Sequence, residues 1–587
     1  MEAPAAEPSP KIEAAPPAAS PPSSSSPCGC VQLRWKNYWQ RQFHPQHKLI
    51  FRCELFLFVM CLVALVVIVG TVSKLFTDAP FEPIFWGFVV GLVLYFFFSI
   101  LLVGVWSRSN KFTLKRITKS VRFWVFIVSV LAALVCLLLV LYFILPESFH
   151  STADVQLVQL RSVTTTTAAL FLRNPDGCSQ AVARYRAPPQ LLFIESTNRT
   201  TDCTHAVDHT SFLYLTDLSP GTQYEVMINV TETHSQVLQF KTNPDSSTKQ
   251  KFSFYFGSCF LLLDRLFAND NSGPFRFLTD VVKPDLFLFL GDFVYADVPF
   301  YNTDSELKYQ SLYRRSLLNP QVNRLLQTTP NYFMWDDHEV ANDYPYAITS
   351  NLFKINEYSF NKAFKLAWEV FLGGGNPEPV RAGTNTTYFS FNYGDSAFFF
   401  LDTRLYRDKN TTLLGAEQLV DLLAFLSVPI NGFKFVLSPV GLTNDFAART
   451  NDAWAGYLTE RNAILDYIDQ QNVSRVVFLS GDSHFAYANE LRGKVRPSGS
   501  RKIYEVSASP IAAFDYTIGG LYSGVTFLPE SQREDNVLFE TKGAAAMPSL
   551  LGVIRVDTTL AEPEIDIDLY DDLKLVYTLK LNSTQLM

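Results

Sequence analysis

The pentapeptide Trp335-Asp336-Asp337-His338-Glu339 directly follows an apolar run at 332–334. Unpaired charge beside a buried segment is costly, so packing alone rarely places several titratable side chains in a row there. Carboxylates are hard anionic metal ligands, and histidine is the usual proton donor near neutral pH. The pentapeptide by itself is compatible with a solvated turn or with a metal site, and its neighbours in the sequence decide between them.

Four further polar clusters follow short apolar runs that are typical of strands. They are Gly257-Ser258-Cys259, Gly291-Asp292 with Tyr295 and Asp297, Asp402-Thr403-Arg404, and Ser480-Gly481-Asp482-Ser483-His484. Layered α/β sheets gather their functional groups at the carboxyl ends of strands, so we expect the five clusters to meet at one edge. A purely structural origin does not account for five such placements.

The residue types in these clusters suit metal-assisted phosphate chemistry. Glycine before Asp292 and Asp482 lets the backbone turn sharply, so that each carboxylate can point back toward a metal. A carboxylate can bridge two cations, which together can clamp a phosphate and generate hydroxide near neutral pH. Tyr295 as a phenolate is a hard ligand suited to ferric iron, and the Cys259 thiolate also favours a transition metal.

The N-terminal part of the chain is strongly apolar. Hydrophobic residues make up 48% of the 587 residues, and the mean hydropathy is positive. Three apolar stretches, 55–71, 84–106 and 123–145, predict three transmembrane helices. A signal peptide is excluded because the first stretch begins far from the N-terminus and no cleavage-like site follows it. Lys and Arg precede the first stretch and separate the second from the third, which predicts a cytosolic N-terminus.

On this topology the remainder of the chain is lumenal or extracellular, in a multi-pass protein of the secretory pathway or cell surface. Glycosylation sequons agree, since all lie after the third stretch, at Asn198, Asn229, Asn385, Asn410, Asn472 and Asn582. Cys178 and Cys203 are candidates for a disulfide, which leaves Cys259 unpaired. The region is acidic, which excludes nucleic acid as a partner and suits a protein that collects cations.

Composition and periodicity divide the chain into four parts. These are a disordered, basic cytosolic segment at 1–50, the three spans within 51–146, a β-sandwich at 152–245 and an α/β catalytic domain at 250–587. The stretch 218–224 resembles the turn and tyrosine corner of fibronectin type III-like sandwiches. In the last part, apolar periodicity predicts helices at 305–326 and 459–470 between short strands.

The motifs Gly-Ser-Cys, Gly-Asp-x-x-Tyr, Trp-Asp-Asp-His-Glu, Leu-Asp-Thr-Arg and Ser-Gly-Asp-x-His, in this order, resemble the alkaline phosphatase D (PhoD-like) family of metallophosphatases over about 250–520. The resemblance implies an α/β (α+β) four-layer metallophosphatase sandwich preceded by a small β-domain. It also implies Fe³⁺ and Ca²⁺ as cofactors, with other divalent metals as alternatives. One departure is Ala455, which stands where the family's Asp-x-Trp-Asp-Gly-Tyr motif has its second Asp.

The resemblance also assigns roles to individual residues. It implies iron ligands at Cys259, Asp292 and Tyr295, with Asp292 as the bridge between metals. Candidates to complete the metal cluster are Asp337, Asn342, Asp482 and His484. His338 resembles the residue that contacts the phosphate or protonates the leaving group. We expect Arg404 to stabilise the developing charge.

The predicted function is a membrane-anchored phosphatase that hydrolyses phosphate monoesters through a metal-bound hydroxide. The first alternative is a phosphodiesterase acting on a lipid or glycan phosphate. The second is an inactive phosphatase-fold protein that serves in adhesion or as a scaffold. The expected partners are a phosphate-ester substrate and the lipid bilayer, with no nucleic acid.

Overall fold

The protein is described by a computed structural model. The described residues are 56, 59–61, 63–65, 68, 90–101, 127–137 and 156–586, except 178–180, 197, 199–202, 205–206, 230–234, 263–270, 298–305, 345–364, 385, 410, 447–451, 493–501, 514–526 and 542–548. The chain divides into two compact units, Met1–Ile68 with Val89–Ala133, and Val69–Phe88 with Leu134–Met587. The predicted disordered segment at 1–50 lies outside the described residues.

The described residues before position 138 are helical. Within the first unit, the hydroxyl groups of Tyr95 and Ser129 form a hydrogen bond of 2.7 Å. Among the described residues, no helix is long and apolar enough to cross a bilayer.

This finding overturns the predicted transmembrane helices at 55–71, 84–106 and 123–145. Within these stretches the described residues are 56, 59–61, 63–65, 68, 90–101 and 127–137, and the others lie outside the described part. It also removes the basis for the multi-pass location with a lumenal catalytic domain and for the bilayer as a partner. The physical reason is that apolar composition measures hydrophobicity and does not by itself establish a helix that crosses the bilayer.

The second unit begins with a β-sandwich of two antiparallel sheets. One sheet has the order β1-β2-β5, with strands Leu157–Val163, Ala168–Arg173 and Thr210–Leu215, and the other has the order β4-β3-β6-β7, with strands Ile194–Ser196, Val182–Arg186, Gln223–Asn229 and Ser235–Lys241. Alternating apolar side chains from both sheets form the interior, among them Leu170, Leu213 and Val226. Tyr224 accepts a hydrogen bond from the backbone N–H of Ser219 at 2.8 Å, which fixes the turn into β6.

A six-stranded mixed sheet follows, with the order β10-β9-β8-β18-β19-β20. Its strands are Asn331–Met334, Leu286–Leu290, Lys251–Gly257, Leu550–Asp557, Glu564–Asp571 and Lys574–Asn582. Strands β8, β9 and β10 are parallel, and the remaining neighbours are antiparallel. The carboxyl ends of the three parallel strands therefore share one edge of the sheet.

A seven-stranded mixed sheet has the order β11-β12-β13-β14-β16-β15-β17. Its strands are Phe389–Tyr393, Ser396–Phe400, Lys434–Ser438, Val476–Ser480, Ile503–Ser507, Tyr487–Leu491 and Asn536–Glu540. Strands β12, β13, β14 and β16 are parallel. Both strands of this sheet that precede a predicted polar cluster, β12 and β14, belong to the parallel set.

The two mixed sheets pack face to face through aromatic rings. The Phe254 ring of β8 meets the rings of Phe398 and Phe435 edge-on, at centroid distances of 5.2 and 4.9 Å. The residues next in sequence, Phe399 and Val436, point the other way into a second core. That alternation is the period of two expected for strands buried on both faces.

Helices cover the outer faces of both sheets. They are α1 (Gly273–Phe277), α2 (Glu306–Leu318), α3 (Pro320–Thr328), α4 (Gly415–Ser427) and α5 (Leu458–Gln470). Helices α4 and α5 pack on the seven-stranded sheet, whereas α1 and α3 contribute to the core of the six-stranded sheet. The single helix predicted at 305–326 is two helices, because Pro320 lacks an N–H group and the Asn319 side chain caps the second helix.

The β-sandwich contacts edge strand β10 directly. Asn331 donates to the carbonyl oxygen of Leu160 at 2.9 Å, and Tyr332 donates its hydroxyl to the carbonyl of Val163 at 2.5 Å. The guanidinium of Arg161 is fully buried between the rings of Phe171 and Phe333, with its Cζ atom 4.6 and 5.5 Å from their centroids. The sandwich is therefore part of the same core as the sheet.

Candidate active site

Four carboxylates meet where the parallel strands of the two sheets end. Asp292 follows β9, Asp336 and Asp337 follow β10, and Asp482 follows β14. One oxygen of each lies within 4.8 Å of the others, and all four side chains are buried. The strand-end clusters predicted from the sequence therefore lie together in this region.

The backbone at the site is held in an uncommon conformation. Cys259, Asp292, Asp482 and His484 have φ angles of 63, 58, 59 and 57°, in the left-handed region that L-residues rarely adopt. Gly291, with φ of 108°, has no such cost, and a Cβ atom there would lie 2.4 Å from Cβ of Asp336. Such conformations cluster at functional sites because the surrounding structure enforces them.

Glu339 joins the β9 and β10 loops. Its carboxylate accepts hydrogen bonds from the backbone N–H groups of Asp292 at 3.0 Å, Phe293 at 2.7 Å and Asp336 at 2.7 Å. Burial raises the pKa of Glu339 to about 7, and these N–H groups act against that rise. Glu339 therefore fixes the spacing of the loops that carry Asp292 and Asp336, a role that its sequence position did not reveal.

Cys259 is fully buried beside Asp292. Its Sγ atom lies 3.3 Å from Oδ2 of Asp292 and 3.1 Å from each of the hydroxyl oxygens of Ser258 and Ser509. Burial, followed by the charges of Asp292 and Asp482, raises the pKa of the Cys259 thiol well above its usual value. A nearby cation would favour the thiolate instead.

Tyr295 and His484 form a second contact within the site. The Tyr295 hydroxyl lies 3.0 Å from Nε2 of His484, and the Tyr295 side chain belongs to the small buried cluster that contains Cys259. The ring of Tyr295 also lies against that of His338, with 4.1 Å between centroids. The predicted iron ligands Cys259, Asp292 and Tyr295 are therefore neighbours.

His338 is oriented by Asp297. Its Nδ1 atom lies 2.7 Å from Oδ1 of Asp297, and its backbone N–H donates to Oδ1 of Asp292 at 3.2 Å. Burial acts to lower the pKa of His338, but the carboxylates of Asp297, Asp337 and Asp292 outweigh it and raise the pKa well above its usual value. Asp297 lies in the polar cluster after β9, and its sequence position does not reveal this role.

Arg404 is fully buried in a network of ion pairs. Its Nε atom donates to Asp336, and its Nη1 and Nη2 atoms donate to the carboxylate of Asp452 at 2.5 and 3.2 Å. Burial alone would lower the pKa of Arg404, but Asp336 and Asp452 raise it well above its usual value. Asp452 belongs to the Asp-x-Trp motif at 452–454, and its sequence position does not reveal the ion pair with Arg404.

The backbone of Asn342 is hydrogen-bonded at the site. Its backbone N–H donates to Oδ2 of Asp297 at 2.8 Å, and the N–H of the next residue, Asp343, donates to Oδ2 of Asp337 at 2.5 Å. Oxygens of Asp337, Asp343 and Asp452 also approach one another within 4.8 Å. The loop after the pentapeptide therefore supports Asp337 from one side.

The donor set fits a bound cation. Oδ2 of Asp336 is buried and has no hydrogen-bond partner among the described residues. Burial raises the pKa values of Asp292 and Asp336 well above the usual range, and the neighbouring carboxylate of Asp337 adds to both rises. A metal ion among these oxygens would offset the repulsion and satisfy the unpaired atom. The acidic groups can therefore bind a metal ion.

Comparison with known proteins agrees with this geometry. The family model of PhoD-like phosphatases matches residues 268–543. This part of the chain is similar to PhoD-like phosphatases. The match begins after Cys259, so the first strand-end cluster lies outside it. It includes the sites at Asp292, Asp337 and Asp482.

Two known proteins are similar to this chain. Alkaline phosphatase D of Bacillus subtilis (strain 168) is 24% identical over 323 residues, which are 47% of this chain and 53% of that protein. The alignment thus spans about half the length of the relative. A solved structure of PhoD is 18% identical, with a TM-score of 0.53 over 74% of this chain and 92% of that chain, which shows the fold.

The predicted disulfide and glycosylation sites lie partly outside the described residues. Cys203 is disulfide-bonded, and its predicted partner Cys178 lies outside the described residues. Among the sequon residues, Asn198 and Asn472 are exposed, and Asn229 and Asn582 are half-buried. Asn385 and Asn410 lie outside the described residues. Glycosylation stays a prediction.

Proposed function

We propose that the PhoD-like part of the chain hydrolyses phosphate monoesters with the help of bound metal ions. The observation that carries this proposal is the buried cluster of Asp292, Asp336, Asp337 and Asp482 beside the oriented imidazole of His338. Carboxylates at this spacing suit metal ions, and an adjacent acid–base group suits ester cleavage. The PhoD-like match supports the same reaction class.

The proposed metal ligands combine soft and hard donors. They are Cys259, Asp292, Tyr295, Asp336, Asp337, Asn342, Asp482 and His484. A thiolate and a phenolate favour Fe³⁺, and carboxylate and amide oxygens favour Ca²⁺. When bound, these ions would polarise the phosphoryl group and lower the pKa of a nearby water.

His338 is the proposed proton donor to the leaving oxygen. Because Nδ1 hydrogen-bonds to Asp297, the ring orientation is fixed and Nε2 is the atom available to deliver the proton.

Arg404 is fully buried and paired with Asp336 and Asp452. That environment supports a positioning role, in which Arg404 holds Asp336 and balances the acidic cluster, in place of direct contact with the substrate.

Hydrolysis of 4-nitrophenyl phosphate and bis(4-nitrophenyl) phosphate tests the proposal. We expect the monoester to be the better substrate, and Asp292→Asn to abolish its turnover. Glu530→Gln, a charge-neutralising change at an exposed position, is the matched control and should retain full turnover. Faster diester cleavage would favour the phosphodiesterase alternative. A metal-loaded protein that cleaves neither ester would favour the inactive scaffold.

A further inference from the structure

A large cleft lies between the β-sandwich and the edge of the seven-stranded sheet. Its volume is about 1130 Å³, which exceeds the range of about 300–1,000 Å³ that is typical of small-molecule sites. The sandwich contributes Ser162, Thr167 and Tyr214, and the sheet side contributes Trp368 and Ser390. None of the strand-end clusters lines this cleft, so it is separate from the candidate active site.

The lining has a distinctive chemical character. Hydroxyl and amide side chains dominate it, and the acidic residues Asp245, Glu369 and Glu378 are exposed at its border. Among the described residues that line the cleft, none is Lys, Arg or His. Phosphate, sulfate and carboxylate ligands require a cationic or N–H-rich surface. The cleft therefore disfavours anions, in contrast to the substrate of the proposed reaction.

Trp368 supplies a fixed aromatic surface in the cleft. A Cβ atom on Gly373 would lie 2.2 Å from the indole, so glycine is what allows the ring to lie against the backbone there. Gly374 is likewise covered by the ring of Phe212, and its carbonyl accepts the Tyr214 hydroxyl at 2.5 Å. The half-buried indole is thus held in place before any ligand arrives, which lowers the entropic cost of binding.

We propose that this cleft binds an uncharged carbohydrate. A sugar ring has an apolar C–H face that packs on an aromatic side chain, and hydroxyls around its edge that pair with hydroxyl, amide and carboxylate groups. The cleft offers both kinds of surface, and the described residues that line it include no cationic side chain. Its volume accommodates more than one sugar ring. The exposed sequon residue Asn198 lies on its lining, so a glycan attached to this chain is a second source of the same chemistry.

Calorimetric titration of the full chain with maltopentaose, cellopentaose and mannopentaose tests the proposal, using protein from bacteria that carries no N-linked glycan. We expect saturable binding of at least one probe. Trp368→Ala should weaken it about tenfold or more, whereas Trp368→Phe retains most of it because the aromatic face remains. Ser390→Arg, which fills the cleft without removing a packed side chain, should abolish binding. Val420→Arg, at an exposed position on α4 outside the cleft, is the matched control.

A second arm separates the two sources of sugar. In protein from a glycosylating host, Asn198→Gln should restore binding of the free probe if the attached glycan occupies the cleft, and should have no effect if the ligand is a free glycan. The proposal is overturned if no uncharged probe binds, if phosphomannopentaose or a neutral pentapeptide binds more tightly, or if Ser390→Arg leaves binding unchanged.

Discussion

Asp297 holds His338 through one carboxylate oxygen and the following loop through the other. Oδ1 lies 2.7 Å from Nδ1 of His338, and Oδ2 accepts the backbone N–H of Asn342 at 2.8 Å. A histidine whose Nδ1 is fixed in this way presents Nε2 in one direction. The pair therefore connects the proposed proton donor to the loop that supports Asp337.

His338→Asn should keep the metal content and lower the turnover of alkyl phosphates by about 100- to 10,000-fold, the usual range for a positioned acid–base group. The loss should be smaller with 4-nitrophenyl phosphate, whose leaving group needs no proton. Asp297→Asn should give a smaller loss of about 10- to 100-fold, because it disturbs only the orientation of the ring. Equal losses with good and poor leaving groups would contradict the proton-donor role.

Removal of metal should destabilise the wild-type protein. A chelator is expected to lower its melting temperature, because an ion that binds only the native state stabilises that state by linkage. Asp337→Ala should have a lower melting temperature already and should respond little to the chelator. Differential scanning calorimetry with elemental analysis measures both effects. A chelator response of wild-type size in Asp337→Ala would exclude Asp337 as a ligand.

The purified protein should absorb visible light if a tyrosinate–ferric pair forms at Tyr295. Tyr295→Phe retains the ring and removes the donor oxygen, so it should bleach the colour while leaving the circular dichroism spectrum unchanged. Tyr577→Phe, on strand β20 at the far edge of the six-stranded sheet, is the control and should stay coloured. A colour that survives in Tyr295→Phe would refute this ligand assignment.

Asp208 should contribute strongly to stability. Its buried carboxylate pairs with Arg173 at 3.1 Å and with Arg314 of α2 at 2.7 Å. Asp208→Asn removes the charge but tolerates the same backbone conformation, and should lower the free energy of unfolding by about 2–5 kcal/mol. The exposed pair of Arg184 and Glu195 is the comparison, since Glu195→Gln should change it by less than about 1 kcal/mol. Denaturant titration measures both.

Lys434 should make stability rise with pH in the alkaline range. Burial lowers its pKa from 10.5 to about 8, and its ammonium group donates to the carbonyl of Leu426. Between these two pKa values the unfolded state binds more protons than the native state, so the free energy of unfolding increases with pH. Lys434→Met should lack this increase and should be the more stable protein at pH 7. A difference between the two that stays constant from neutral to alkaline pH would contradict the assignment.

Much of the sheet architecture was predictable because its signals are local. The apolar runs before each polar cluster became β8, β9, β10, β12 and β14. Parallel neighbours then bring their carboxyl ends to the same edge, so the meeting of Asp292, Asp337 and Asp482 follows from strand direction. The turn before Tyr224 was also predictable, because the stretch 218–224 has the sequence of a tight turn.

The supporting residues could not be predicted, because their roles depend on partners distant in the sequence. Glu339 binds N–H groups 46 and 47 residues away, and Asp452 pairs with Arg404 across 48 residues. No property of an isolated Glu or Asp indicates which groups it will meet. The transmembrane prediction rested on local apolar composition, which does not by itself establish a membrane-spanning helix.

The contacts between β1 and β10 have a practical consequence. They do not depend on the peptide connection at 242–248, since Arg161 is enclosed by Phe171 and Phe333, and Asn331 bonds to Leu160. We expect a chain divided within that connection, with both pieces produced together, to reassemble without a covalent link. Hydrolysis of a phosphate ester by the co-produced pieces would then show that they have associated.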